Sequence, residues 1–331
     1  MIQQAKRTGQ LLLTSEGGKL AKFDAESNQF TVLYQNPLGE SIFGVTLQGT
    51  DVYLCGATFL AKGHLDDDGF TLLKMRLPFK PRFRGQMRRA IRWFWTRIGA
   101  HSRVIPYDMP GLHQLNRYGA LLYVAATSWN EIWVLDLDLH LKERIPLQPC
   151  LLDYFHLNNV FCDGSHFYVC LNRYAGRPGF GGYAKFDLAW NEVERRAIGW
   201  ESHALSVIDG QVIQLCCFSW RSAGTSQHPH RAGLMVDGKF VFEYDSQQYF
   251  CKDFSMDDDN IYIVGGSNTR RDQRASAVGV VFVLNKKFEL LRQSEIAGLG
   301  GFNGCRLQGK DYSKGYAPID HSATTCISKF V

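Results

Sequence analysis

The stretch NNVFCDGSHFYVCLN, residues 158–172, reads as two short strands joined by a tight turn at Asp163 and Gly164. It has a polar start, an apolar run, the turn, and a second run rich in Tyr, Val and Cys. Four more stretches share this form: GVTLQGTDVYLCGAT from Gly44, HQLNRYGALLYVAAT from His113, HALSVIDGQVIQLCC from His203 and KDFSMDDDNIYIVGG from Lys252. Gly49, Gly119, Gly164, Gly210 and Asp258 align at their turns. Self-similarity at roughly 40 to 50 residues marks a repeat architecture.

Each copy is followed by a third and a fourth strand-like run, as in EIWVLDLD then LKERIPL, or GVVFVLN then ELLRQSEI. Four antiparallel strands per repeat predict a propeller blade. Residues 10–35 supply only three runs (QLLLTSE, KLAKFD, QFTVLYQ), whereas GGFNGCRLQG from Gly300 reads as one more inner strand. Together these complete a further blade, and closing the ring with strands from both termini removes the exposed edge of an open array. The sequence therefore predicts an all-β chain: one six-bladed β-propeller over residues 1–310, with a helical insertion at 79–105 between blades 2 and 3 and an aperiodic extension over 311–331.

Composition agrees with a packed globular chain: 331 residues, 45% hydrophobic, 13% aromatic and 21% charged. No run approaches the length of a membrane-spanning helix, and the N-terminal apolar run is too short for a signal peptide, so a cytoplasmic location is expected. Nine cysteines without framework spacing predict buried free thiols. The net charge of +5 belongs to one segment, since residues 69–107 hold ten Lys or Arg and no acid. The remaining residues are net acidic, which does not favour a nucleic-acid partner.

Strand alternation within a blade fixes a face. The starts of the inner strands, the loops between second and third strands, and the connections between blades all emerge on one side. The polar residues predicted there are His113, Gln114, His156, Asn158, Asn159, His203, Lys252, Asp253 and Asn303, overhung by Arg173, Arg271 and Arg274 from loops that also include Ser267. Such a ring suits a polar, anionic small molecule, with Arg forks and Lys252 for phosphate, sulfate or carboxylate and Asn or His for hydroxyls. His113, His156 and His203 are the candidate proton-transfer groups, should the ring be catalytic. No resident cofactor is expected. An alternative is a metal site, with Ca²⁺ held by oxygens of Gln114, Asn159, Asp253 and Asn303 and a His as the proton-transfer group, although Lys252 beside Asp253 opposes a cation. A protein-interaction scaffold is the third class. The run Asp257–Asp259 falls at the opposite turn and reads as solvated. Zinc, nucleotide-loop and nucleophile-elbow motifs are absent.

The insertion breaks the strand period. From Met87, apolar residues recur at Ala90, Ile91, Phe94, Trp95 and Ile98 against Arg88, Arg89 and Arg92, which predicts a basic amphipathic helix. It reads either as a helix packed on the rim or, through Arg88, Arg92, Trp93, Phe94 and Trp95, as a peripheral contact of residues 85–99 with an anionic membrane surface.

The runs HLNNVFCDGSHFYVCLNRYAGRPGFGGYAKFDL, ESHALSVIDGQVIQLC and KDFSMDDDNIYIVGGSNTRRDQR, followed by GVVFVLN, resemble a bacterial six-bladed propeller family described as domain of unknown function 4915-like. That family is in turn distantly similar to gluconolactonase and NHL-type propellers. The resemblance covers about residues 111–309 and marks His156, Asn158, His203, Ser267, Arg271 and Arg274. It implies a saccharide-related ligand in glycan metabolism, and the gluconolactonase likeness implies, as an alternative, a metal-dependent hydrolase or lactonase. The chain departs from it at Ala204, where the family tends to have Asn, and at Lys252 and Asp253, where an Arg-Gly pair is common. The N-terminal Glu of gluconolactonase-type metal ligation finds no counterpart in the sequence reading.

Overall fold

A computed structural model describes residues 9–67, 69–76, 110–148, 153–176, 180–208, 210–218 and 231–312. Six four-stranded antiparallel sheets form the blades of a propeller ring. Blade 1 is the composite one: the inner strand Phe302–Leu307 pairs with Gln10–Ser15, followed by Lys19–Asp24 and Gln29–Gln35. Leu11 opposes Leu307 and Ser15 opposes Phe302, so strands from both ends of the sequence close the ring as expected. The inner strands of blades 2 to 6 are Gly44–Gln48, Leu112–Tyr118, Leu157–Cys162, Ser202–Ile208 and Tyr249–Met256.

Six hydrophobic clusters hold the ring together, each lying between two neighbouring blades. Leu12 and Leu20 of blade 1 pack with Val45, Leu54 and Ala61 of blade 2, and Val160 and Val169 of blade 4 pack with Ala125 and Ile132 of blade 3. Inner strands such as Leu157–Cys162, Tyr249–Met256 and Phe302–Leu307 are accordingly buried along their length. Outer strands such as Leu141–Pro146 and Glu192–Ala197 are largely exposed. The hydrophobic gain is thus made between repeats, and no blade buries its apolar faces alone.

One irregularity recurs and positions the site. In blade 4, Leu157 opposes Leu171 and Asn159 opposes Cys170, so Asn158 is an extra residue in its strand, a β-bulge. The same shift makes His203 the extra residue of blade 5, Lys252 of blade 6 and Asn303 of blade 1. In blade 3 the shift falls between Leu112 and Leu115, at His113 and Gln114. Blade 2 has no such shift. A bulge turns its extra side chain out of the ladder, and here five blades do so at the same end of the channel.

The tight turns lie at the other end. There Asp257 accepts hydrogen bonds from the N–H groups of Asp259 and Asn260 at 2.9 and 2.7 Å, a turn device. Tyr312, the second residue of the expected extension, is buried at that end. Its hydroxyl accepts from Leu307 N–H at 2.6 Å and lies 3.1 Å from Ser255 Oγ, while its ring lies under the Arg306 guanidinium. Cys55, Cys162, Cys170, Cys216, Cys217, Cys251 and Cys305 are free and buried. No helix among the described residues is long and apolar enough to cross a membrane.

Candidate functional site

At the bulged end the channel opens into a cavity of about 90 Å³ lined by Glu16, Phe43, His113, Gln114, His156, Asn158, His203, Lys252, Arg271, Arg274 and Asn303. Every bulge contributes to this wall. Arg271 and Arg274 arrive from the loop between the second and third strands of blade 6, on the 3-10 helix Arg271–Ser276.

The floor is a network of amides. Gln114 spans the channel, donating from Nε2 to the carbonyls of Lys252 and Asn303 at 3.3 Å each, and its Oε1 accepts from Asn159 Nδ2 at 2.6 Å. Beneath it Asn116 donates to Asn159 Oδ1 at 3.2 Å, and Arg306 donates to Asn116 Oδ1 and to Asp253 Oδ2 at 2.7 Å each. Burial pushes the Asp253 carboxyl up, while Arg306 and the Cys305 N–H favour its charged form. Asn159 and Asp253 therefore support the floor and do not line the cavity.

The wall is cationic. Lys252 Nζ forms an ion pair with Glu16 Oε1 and donates to Asn303 Oδ1 at 2.6 Å. Ser41 Oγ donates to the other Glu16 oxygen at 2.8 Å, and Arg274 lies 3.9 Å from the carboxylate. Burial raises the Glu16 carboxyl, but the Lys252 charge and these hydrogen bonds outweigh it and bring the group down to about 2. Burial lowers the Lys252 ammonium, opposed by Glu16 and reinforced by Arg274 and Arg271. Arg274 also stacks over Phe250, 4.7 Å from its ring centre. One carboxylate thus faces three cationic side chains.

The histidines differ in their settings. His113 stacks on Phe43 at 4.9 Å and His203 meets Phe250 edge-on at 5.1 Å. Burial first, then the charges of neighbouring histidines and Lys252, holds both rings well below the usual imidazole range, so each is neutral at pH 7. His156 adopts φ +49°, a left-handed conformation that is uncommon outside glycine, at the position where blade 3 has Gly111 at +58°. Its Nδ1 contacts Asp153 Oδ1 at 2.8 Å, and Asp153 in turn accepts from Arg173 at 2.9 Å. Burial raises the Asp153 carboxyl, but His156 and Arg173 together bring it below the ordinary range.

Asn158, 1% exposed, is fixed by its Nδ2, which donates to the Ser202 carbonyl at 2.8 Å. Its Oδ1 is buried as well and has no hydrogen-bond partner among the described residues.

Of the residues singled out in the sequence, the structure brings His113, Gln114, His156, Asn158, His203, Lys252, Arg271, Arg274 and Asn303 to one cavity. Arg173 instead holds Asp153, and Ser267 Oγ accepts from the Val278 N–H at 3.2 Å. Arg88, Arg92, Trp93, Phe94 and Trp95 lie outside the described residues. Glu16 and Phe43 were not anticipated. Glu16 follows the second strand of blade 1, so the same alternation that places Arg271 would have placed it on this face.

The donor set does not fit Ca²⁺. Glu16 and Asp253 are each bound to a cation, the amide oxygens of Gln114 and Asn303 are engaged, and no group of three His, Cys, Asp or Glu among the described residues is arranged around a metal position.

No protein-family model matches the chain, and no curated protein matches it either. The resemblance to the 4915-like family and to gluconolactonases thus finds support at the level of the propeller fold alone. Among solved structures, a chain of a nidogen/laminin complex is similar at a TM-score of 0.55 and 11% identity, covering 91% of this chain and 99% of its own. A protein of unknown function from Bacteroides caccae is similar at a TM-score of 0.57 and 10% identity, covering 90% and 98%. At such identities the likeness shows the fold: this chain is a six-bladed β-propeller.

Proposed function

We propose that the protein binds a small, anionic polar molecule at the bulged mouth of its channel. The observation that carries this reading is the charge imbalance of the wall, where Lys252, Arg271 and Arg274 converge with Glu16 as the one carboxylate among the lining residues. A fixed cationic cavity with a closed amide floor is an anion receptor by its electrostatics.

The cavity of about 90 Å³ is open at the channel mouth, so the anionic group of a ligand can seat among the cations while the rest of the molecule extends outward. The propeller fold by itself is equally compatible with a scaffold role, which does not need the buried cations.

A second reading, an enzyme, has one observation in its favour. Asp153 orients the His156 ring and Arg173 anchors Asp153, an arrangement that holds an imidazole ready for proton transfer.

Calorimetric titration with inorganic phosphate and with lactate tests the binding reading. Arg271→Met/Arg274→Met is expected to weaken binding at least tenfold, since charge-assisted hydrogen bonds contribute roughly 1.5–3 kcal/mol each. No binding up to about 10 mM, a free energy near −3 kcal/mol, or binding unchanged in the double variant would overturn it.

A further inference from the structure

We infer that the ligand is a phosphate monoester, its doubly charged phosphoryl group seated among Lys252, Arg271 and Arg274 and its ester carbon turned towards His113, His156 and His203; this rests on the anion-binding reading above.

The charge of the wall sets the charge of the ligand. Three cationic side chains against the Glu16 carboxylate leave a surplus of two fixed positive charges among the lining residues. Two acids next to the wall do not reduce it, because Asp153 is matched by Arg173 and Asp253 by Arg306. His113 and His203 do not add to it, since burial keeps them neutral. Burial and the charges of Arg274 and Arg271 all weaken the hold of Lys252 on its proton, so the cations strain against one another. A monoanion leaves one of these charges unmatched, whereas a dianion balances the set.

The placement of the cations favours both ligand charges on one group. Lys252 and Arg274 flank the same Glu16 oxygen, Arg274 at 3.9 Å. Arg271 and Arg274 are three residues apart on the 3-10 helix Arg271–Ser276, where side chains at that spacing eclipse and project to one side. Arg271 is exposed at the mouth and has no acidic partner among the described residues. A phosphoryl group offers three acceptor oxygens to this cluster, and a guanidinium fork meets two of them at once. Two carboxylates on one molecule hold their charges apart, and the second would leave the cations for the imidazole rings.

The rest of the wall suits the rest of the molecule. Lys252, Arg271 and Arg274 all come from blade 6, whereas His113, His156 and His203 come from blades 3, 4 and 5. His113 stacks on Phe43 at 4.9 Å and meets the His156 ring edge-on at 5.5 Å. Rings with hydrogen-bonding nitrogens suit a carbon chain that bears hydroxyls. The open mouth leaves that chain room to extend.

Calorimetric titration of the full chain at about pH 7.5, where a phosphate monoester is doubly charged, tests this with methyl phosphate, methyl sulfate, malonate and inorganic phosphate. Methyl sulfate has the same tetrahedral shape with one charge, and malonate has two charges on two groups. Methyl phosphate is expected to bind roughly tenfold or more tightly than either, and within about threefold of inorganic phosphate. In Arg271→Met, which leaves a surplus of one charge, its advantage over methyl sulfate is expected to fall to within about threefold. Methyl sulfate binding as tightly as methyl phosphate overturns the dianion and leaves the anion site standing. Malonate binding as tightly overturns the phosphoryl group in favour of two carboxylates. Inorganic phosphate binding roughly tenfold more tightly than methyl phosphate overturns the ester. An advantage that survives Arg271→Met overturns the placement of the second charge among these cations. If none of the four binds, the anion reading itself fails. The parent comparisons decide the matter even if Arg271→Met does not fold.

Discussion

Glu16 and Lys252, 236 residues apart in sequence, form an ion pair in the mouth of the channel that joins blade 6 to blade 1, the blade that closes the ring. Each side chain is little exposed, 12% and 11% respectively. Removing one member leaves the other charge in a poorly hydrated place. We expect Lys252→Met to cost about 3–5 kcal/mol, and Glu16→Gln/Lys252→Met to recover most of it, because breaking a buried pair costs more than replacing both members. Urea unfolding midpoints of the two variants check this. A double variant as unstable as the single would mean that the loss lies in Lys252 packing and not in the stranded carboxylate.

The fold was legible because a propeller repeats one hydrophobic pattern, and the tight turns at Gly119, Gly164 and Gly210 keep that pattern in step. The bulges were not legible. One extra residue shifts the pairing without disturbing the apolar alternation on either side, as between Leu157 and Asn159. Hence Asn158 and Asn159 read alike in sequence, yet one lines the cavity and the other holds its floor. Asp253 was misplaced for a related reason: it follows the bulged Lys252, re-enters the ladder opposite Val264 and meets Arg306. Glu16 was missed because blade 1 is split between the two ends of the sequence, which hides its place in the ring.

The cavity histidines should make stability pH-dependent. His113 and His203 protonate near 6.5 in the unfolded chain, but only well below that when folded. Between those points the unfolded chain binds more protons, so stability falls as pH drops below about 6.5, by up to about 1.4 kcal/mol per pH unit for each ring. Glu16, at about 2 in the folded chain against an ordinary 4.5, adds a second loss as pH falls from 4.5 towards 2. Calorimetric melting temperatures should be level from pH 7 to 8 and decline below 6.5. His113→Gln/His203→Gln should flatten the decline between pH 6.5 and 5. A parent protein equally stable at pH 7 and pH 5 would contradict this account.

His156 holds a conformation that favours glycine, and strain of this kind costs on the order of 1 kcal/mol. Asp153 keeps Arg173 when the imidazole is gone. His156→Gly should therefore unfold within about 1 kcal/mol of the parent, while losing whatever proton transfer the cavity performs. A loss above about 2 kcal/mol would show that the imidazole is a structural member of the wall and not a group held in strain for its chemistry.

Tyr312 ties the segment after the last inner strand into the far end of the channel. Its hydroxyl satisfies Leu307 N–H and lies against Ser255, and its ring joins the cluster of Leu47, Val52 and Leu65 between blades 1 and 2. Leu307 belongs to the strand that closes the ring, so losing Tyr312 weakens closure as well as packing. Tyr312→Ala is expected to cost about 3–5 kcal/mol through the cavity it leaves. Tyr312→Phe is expected to cost about 1–3 kcal/mol, because the Leu307 N–H is then buried without an acceptor. Hydrogen exchange separates these effects from general destabilisation: in Tyr312→Phe the amides of 302–307 and 10–15 should lose protection before those of blades 3 to 5. Uniform loss of protection would mean that the ring unfolds as one unit and that Tyr312 does not specifically hold its seam.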